Sequence, residues 1–223
     1  MTILHRLRRA ARRLARGDRA TVLIEMAFCI PLLVLLGFGG LEMANLTLVN
    51  TQISQIGLNT ADNASRIAAG SNLAQPQVRE VDINEVFGGA DKQAGNLDLK
   101  ARGRIILSSL EQNKQGGQWI HWQRCYGDMN VASAFGPQGT GATGTDFKGM
   151  GPKGREVTAA SGTAVMFVEV IYQYRPLLYG KWLGPRTIRS AAAYNIREPR
   201  DLTGPTGGDG VYNPSPAATK SAC

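Results

Sequence analysis

An α+β fold, in which a long apolar N-terminal helix carries a small antiparallel sheet, follows from three features of the sequence. Thr21 to Leu41 is a 21-residue run with a single charge, Glu25. An amphipathic pattern extends that run without a break, and two β-rich segments close the chain. The 223 residues suffice for one domain plus an appendage, and 27 glycines are more than a helix bundle tolerates.

The formal charge of +8 points to nucleic acid until its location is counted. Residues 1–20 hold seven arginines against one aspartate, which leaves +2 for everything after them. The basicity belongs to an N-terminal leader, and nucleic acid is not an expected partner. Two histidines and three cysteines in the whole chain leave little for a metal site, so no metal or cofactor is expected.

The apolar run has the length that spans a bilayer as a helix. Its arginines all lie on the N-terminal side, so the positive-inside bias keeps that end cytoplasmic and sends residues beyond about 45 across the membrane. A cleaved secretory signal competes with this reading, because Gly37 and Gly39 offer small residues to a signal peptidase. Against cleavage, Leu46, Val49, Ile53, Ile56, Thr60, Asn63 and Ile67 recur every three or four residues, with polar residues between them. One helix is therefore expected over 21–69, with Gly70 as its stop. Two occupants of the stripe stay open, the chain's own C-terminal domain and another molecule. Glu25 needs a partner inside hydrocarbon, unless it lies close enough to the cytoplasmic surface to reach water or Arg19.

Residues 70–201 read as a mixed body. Leu97–Asn113 is predicted as a helix; Gln118–Cys125, Gly162–Tyr174 and Thr187–Arg197 are predicted as strands. Seven glycines between Gly136 and Gly154 predict an exposed flexible loop. Its GxxxxG spacings are followed by Met150 and Arg155, where a phosphate-binding loop needs Lys and then Ser or Thr, so a nucleotide site is excluded. Residues 202–223, rich in Pro, Gly and Ser, are expected to be disordered unless tied down. Cys125 and Cys223 lie on the oxidising side of the membrane and pair most economically with each other, free or intermolecular thiols being the alternative; Cys29 sits in the span.

No catalytic residue is assigned. His121, between Trp119 and Trp122, reads as a packed strand residue, and the pairs Asp82 with Glu85 and Glu198 with Asp201 have spacings common on solvated surfaces.

Ala20-Thr21-Val22-Leu23-Ile24-Glu25-Met26, after a basic leader and before an apolar helix, resembles the class III signal of type IV pilins. The resemblance implies cleavage by a prepilin peptidase between Ala20 and Thr21, with Ala20 in place of the usual Gly, and makes Glu25 the fifth residue of the mature chain. Glu25, Pro31 and Glu42 are similarly placed to the signature residues of TadE-like minor pilins of tight-adherence, type IVc systems. Val165–Leu178 and Ser190–Pro199 resemble the closing strands of that family, whereas residues 75–160 resemble nothing recognisable. The family implies an inner-membrane protein with a periplasmic body, and other pilins, assembly proteins and the peptidase as partners. Glu25 would neutralise the new amine of Thr21 in a neighbouring subunit, and Pro31 would weaken or kink the helix. The competing reading is a signal-anchored or secreted envelope protein with an unrelated binding or enzymatic domain.

Overall fold

The computed structural model describes residues 18–67, 75–178, 184–206 and 208–223. Helix α1, Asp18–Ser65, runs 48 residues, about 72 Å at 1.5 Å per residue. It is followed by α2 (Glu80–Ala94), a 3₁₀ turn (Gly95–Leu97), the single turn α3 (Leu99–Arg102), and strands β1 (Gly103–Gln112), β2 (Gln118–Tyr126), β3 (Ala164–Tyr174) and β4 (Arg186–Asn195). The strands form one antiparallel sheet in the order β2-β1-β3-β4.

The amphipathic stripe faces the chain's own sheet. Val49, Ile53, Ile56, Thr60 and Ile67 are buried, Leu46 packs at the margin, and Asn63 is exposed. Gly57 lets α1 approach β3: a Cβ there would stand 3.3 Å from Val170 Cγ2. Ile83, Phe87, Ala90 and Ala94 of α2 complete the same core against Ile105, Leu107, Val168 and Val170. The end of α1 is capped from the segment after β4, where Arg197 N–H donates to Ser65 O and Arg200 Nη1 donates to Ala64 O and Ile67 O. Burial lowers the Arg200 guanidinium to about 10. The helix ends at Ser65, four residues before the expected Ala69, with Arg66 in a turn and Ile67 beyond it; Gly70, the expected stop, lies outside the described residues.

Two expectations are corrected. Residues 103–112, read as part of a helix, form the second strand of the sheet. Both faces of β1 are covered, so its apolar residues run continuously instead of alternating, and a strand without alternation resembles a helix in sequence. The glycine-rich segment has no helix or strand, but it is not a free loop. Thr140 O accepts from Ile120 N–H and Gly139 N–H donates to Ile120 O, while Asn113 Nδ2 donates to Gly141 O and Gly144 O at 2.8 Å. With Phe135, Phe147 and buried Met150 it covers Leu110, Ile120, Val165 and Phe167, the sheet face away from the helices. Gly141 has φ +76, and a Cβ would meet Gln118 O at 2.2 Å, so only glycine lets this segment lie on edge strand β2.

The tail meets the condition set for its order: several contacts tie it down, the expected Cys125–Cys223 bridge among them. Tyr212 N–H donates to Val78 O and Glu80 N–H donates to Tyr212 O. Ser221 O accepts from Cys125 N–H, and the chain closes through a Cys125–Cys223 disulfide with a Cα separation of 4.9 Å.

Candidate functional site

The exposed half of α1 is the feature that the domain leaves unused. Thr21–Phe38 is exposed throughout, including Leu23, Phe28, Leu33 and Leu36, and the helix is long and apolar enough to cross a membrane. Glu25 is exposed on this stretch, one turn after Thr21 and one turn before Cys29, so the three side chains share a face. The backbone is helical from Asp18, which places the Ala20–Thr21 bond inside α1. The helix is continuous through Pro31, which has no N–H to donate to the preceding turn.

Glu42 marks where the helix enters the domain. It is 4% exposed, and its carboxylate accepts from Tyr174 Oη at 2.6 Å, Leu177 N–H at 3.2 Å and Leu178 N–H at 2.9 Å. Asn45 Nδ2 donates to the same Tyr174 hydroxyl at 2.7 Å. Burial first, and then the bond to Glu42, push the Tyr174 phenol above its ordinary value. A carboxylate removed from water is tolerated when donors replace its hydration, and here the end of β3 supplies them. Sequence placed Glu42 in a motif but did not reveal this role, because the partners lie 132 to 136 residues away.

A second polar centre locks the tail. Arg124 on β2 is fully buried and donates to both Glu80 carboxylate oxygens from Nε, at 3.0 and 2.9 Å, with a further bond from Nη2 to Glu80. Nη2 also reaches Asp209 Oδ2 at 3.0 Å, and Lys220 Nζ reaches the same oxygen at 2.6 Å. Burial alone would raise the Asp209 carboxyl. Lys220 and Arg124 outweigh it and hold the group at about 2. Neither the sequence pattern nor the cysteine count signals this network.

His121 Nδ1 lies 2.9 Å from Glu111 Oε2, and the ring stacks on Trp119 with centroids 4.0 Å apart. Ser109 donates to the other oxygen of Glu111 at 2.7 Å, so the carboxylate sits between hydroxyl and imidazole. In that order the imidazole contacts the carboxylate and not the hydroxyl, which is not the arrangement of a hydroxyl nucleophile activated by a histidine base. Asp82 pairs with Arg79 at 2.7 Å, and Asp201 accepts from Thr203 N–H at 2.8 Å and from the Tyr212 hydroxyl, so both serve local structure. Among the described residues no group of three or more His, Cys, Asp or Glu side chains is placed to hold a metal.

A long apolar N-terminal helix packed on a four-stranded antiparallel sheet is a pilin-like architecture. The candidate span and the disulfide together suit a protein of the cell envelope. The chain matches no family model, no curated protein and no solved structure.

Proposed function

We propose that the chain is a minor pilin or pilus-assembly component of a tight-adherence, type IVc system. It is a non-enzymatic protein held in the inner membrane by α1, with its body in the periplasm, and it supports surface adhesion. The observation that carries this reading is the exposed half of α1, about 31 Å of apolar helix from Thr21 to Glu42, projecting from a core that begins at Leu46 and Val49. Exposed apolar surface of that extent needs lipid before assembly and other helices after it.

In this reading a prepilin peptidase cuts between Ala20 and Thr21. The new α-amino group of Thr21 then pairs with Glu25 of a neighbouring subunit, each charge making the other tolerable in an apolar filament core. The partners are other pilins, assembly proteins, the peptidase and the membrane; the function needs no nucleic acid, metal or cofactor.

Amino-terminal sequencing of the mature protein, with a surface-attachment assay of Glu25→Ala and Glu25→Gln, tests the proposal. The expected mature start is Thr21, and both variants are expected to insert and fold but fail to assemble. A start near residue 40 would identify signal-peptidase cleavage and refute the pilin reading. Normal assembly by both variants would refute the charge pair.

A further inference from the structure

The loop that clasps Glu42 carries two leucines that the domain leaves in the open. Leu177 is 67% exposed and Leu178 50% exposed, directly beside the point where the apolar helix enters the body. We infer that Pro176, Leu177 and Leu178 dock into the extracytoplasmic leaflet of the membrane that α1 spans, with Glu42 holding them at that depth. The inference rests on α1 spanning the bilayer, as the proposed function has it.

The depth follows from the helix. Thr21 to Glu42 is 21 residues, so with Thr21 at the cytoplasmic boundary Glu42 lies about 31 Å away, at the opposite boundary of a core about 30 Å thick. The leucines hydrogen-bonded to Glu42 stand at that boundary.

Backbone chemistry agrees. Peptide N–H groups cannot enter hydrocarbon unpaired, and this tip leaves none unpaired: proline has no N–H, and those of Leu177 and Leu178 both donate to Glu42. The leucine side chains can therefore enter lipid without stripping water from their own N–H groups.

Charge complementarity supplies a further argument. Arg175 precedes the tip, and Arg186 is paired in register with Tyr174 across the sheet. Arg186 and Arg189 border a hollow with Leu46, Thr47 and Asn50 of α1. Leu46 is one turn, about 6 Å, beyond Glu42, at the level of the headgroups. All three arginines are exposed, and among the described residues none is in an ion pair. Two leucines with Arg175 and Arg186 beside them match the acyl boundary and phosphate layer of an anionic membrane.

The test uses the full chain in phosphatidylethanolamine/phosphatidylglycerol vesicles, with a nitroxide at one engineered cysteine in a Cys29→Ser background and the native disulfide left oxidised. Collision rates with oxygen and with a water-soluble nickel chelate are compared for Leu33→Cys in the span, Leu178→Cys at the tip and Thr143→Cys on the exposed loop. The expected result is a label at 178 that resembles the one at 33, with nickel collisions several-fold lower than at 143 and oxygen collisions high. Adding Glu42→Ala is expected to return the 178 label to water while the 33 label stays in lipid.

A water-exposed label at 178 with a lipid-exposed label at 33 would overturn the docking and leave the span standing. Water exposure at 33 would remove the span and the docking with it. A label at 178 shielded from both agents would place a protein neighbour there, and one that stays in lipid after Glu42→Ala would remove Glu42's role; either result overturns the inference.

Discussion

Cys223→Ser opens the covalent closure of the tail, and its cost can be worked from the chain. The bridge spans a sequence separation of 98 residues. Loop-closure entropy for about 100 residues gives an upper bound of about 4.7 kcal/mol, and disulfides of this kind deliver about 2 to 4 kcal/mol. The middle of that range, below the entropic bound, is expected here. Tyr212, Asp209 and Ser221 keep their contacts to Val78, Arg124 and Cys125, so the severed tail still occupies part of its groove. A loss of about 3 kcal/mol in a body of this size lowers the melting temperature by about 6 to 12 °C. The assay is thermal unfolding of the full chain in detergent micelles, wild type against variant, each with and without reductant. Reductant should shift the wild type to the variant's value and leave the variant unmoved. Amide exchange should accelerate first at Tyr212 and Glu80, whose backbone bonds join the tail to the start of α2. A change within about 1 °C on both substitution and reduction would refute the reasoning.

Glu80→Gln leaves the buried Arg124 cation with one carboxylate instead of two and is expected to destabilise the fold by about 3 to 5 kcal/mol. Glu80→Met with Arg124→Met should recover most of that loss in urea unfolding, because the penalty comes from the unpaired charge, and a double variant no better than the single one would contradict it. Asp209, held at about 2 from an ordinary 3.8, is a depressed carboxyl. Its stabilisation is complete above its unfolded value and disappears as pH falls through the folded one, so the gap in melting temperature between wild type and Asp209→Asn should close between about pH 4 and pH 2. A gap independent of pH would show that the charge of Asp209 does not hold the tail.

Much of this fold is readable from periodicity, and the exceptions have physical causes. The run from Thr21 and the stripe from Leu46 to Asn63 both appear in α1, with Ile67 just beyond its end, while β2, β3 and β4 lie within two residues of their expected bounds. Strand β1 escaped because Ser108 and Ser109 are buried alongside Ile106, Leu107 and Leu110, which erases the alternation that marks a half-exposed strand. Helix α2 was missed although Ile83, Phe87, Ala90 and Ala94 keep helical spacing and Glu80 and Asp82 occupy the first turn. Gly88 and Gly89 at its centre lower the propensity, and burial against α1 offsets the deficit. For the tail, the Cys125–Cys223 tie is legible from the cysteines, whereas the contact of Asp209 with Arg124 is not, because the partners are distant in sequence.

The candidate site divides along the same line. The features of one continuous helix, Thr21, Glu25 and Pro31, can be located from sequence because helical geometry alone sets their positions relative to one another. The Glu42 clasp cannot, because it exists only once β3 has paired in the sheet and brought Tyr174, Leu177 and Leu178 back to the helix. Glu42 also marks the change of pattern along the helix. Before it the side chains are apolar on every face apart from Glu25; after it polar residues return between the buried Val49, Ile53 and Ile56. A slide of α1 by one residue would bring Leu41 or Met43 to the three donors and leave them unpaired in a closed site, at about 1 to 3 kcal/mol for each group lost. The carboxylate thus sets the register between helix and sheet and with it the length of apolar helix that projects from the body.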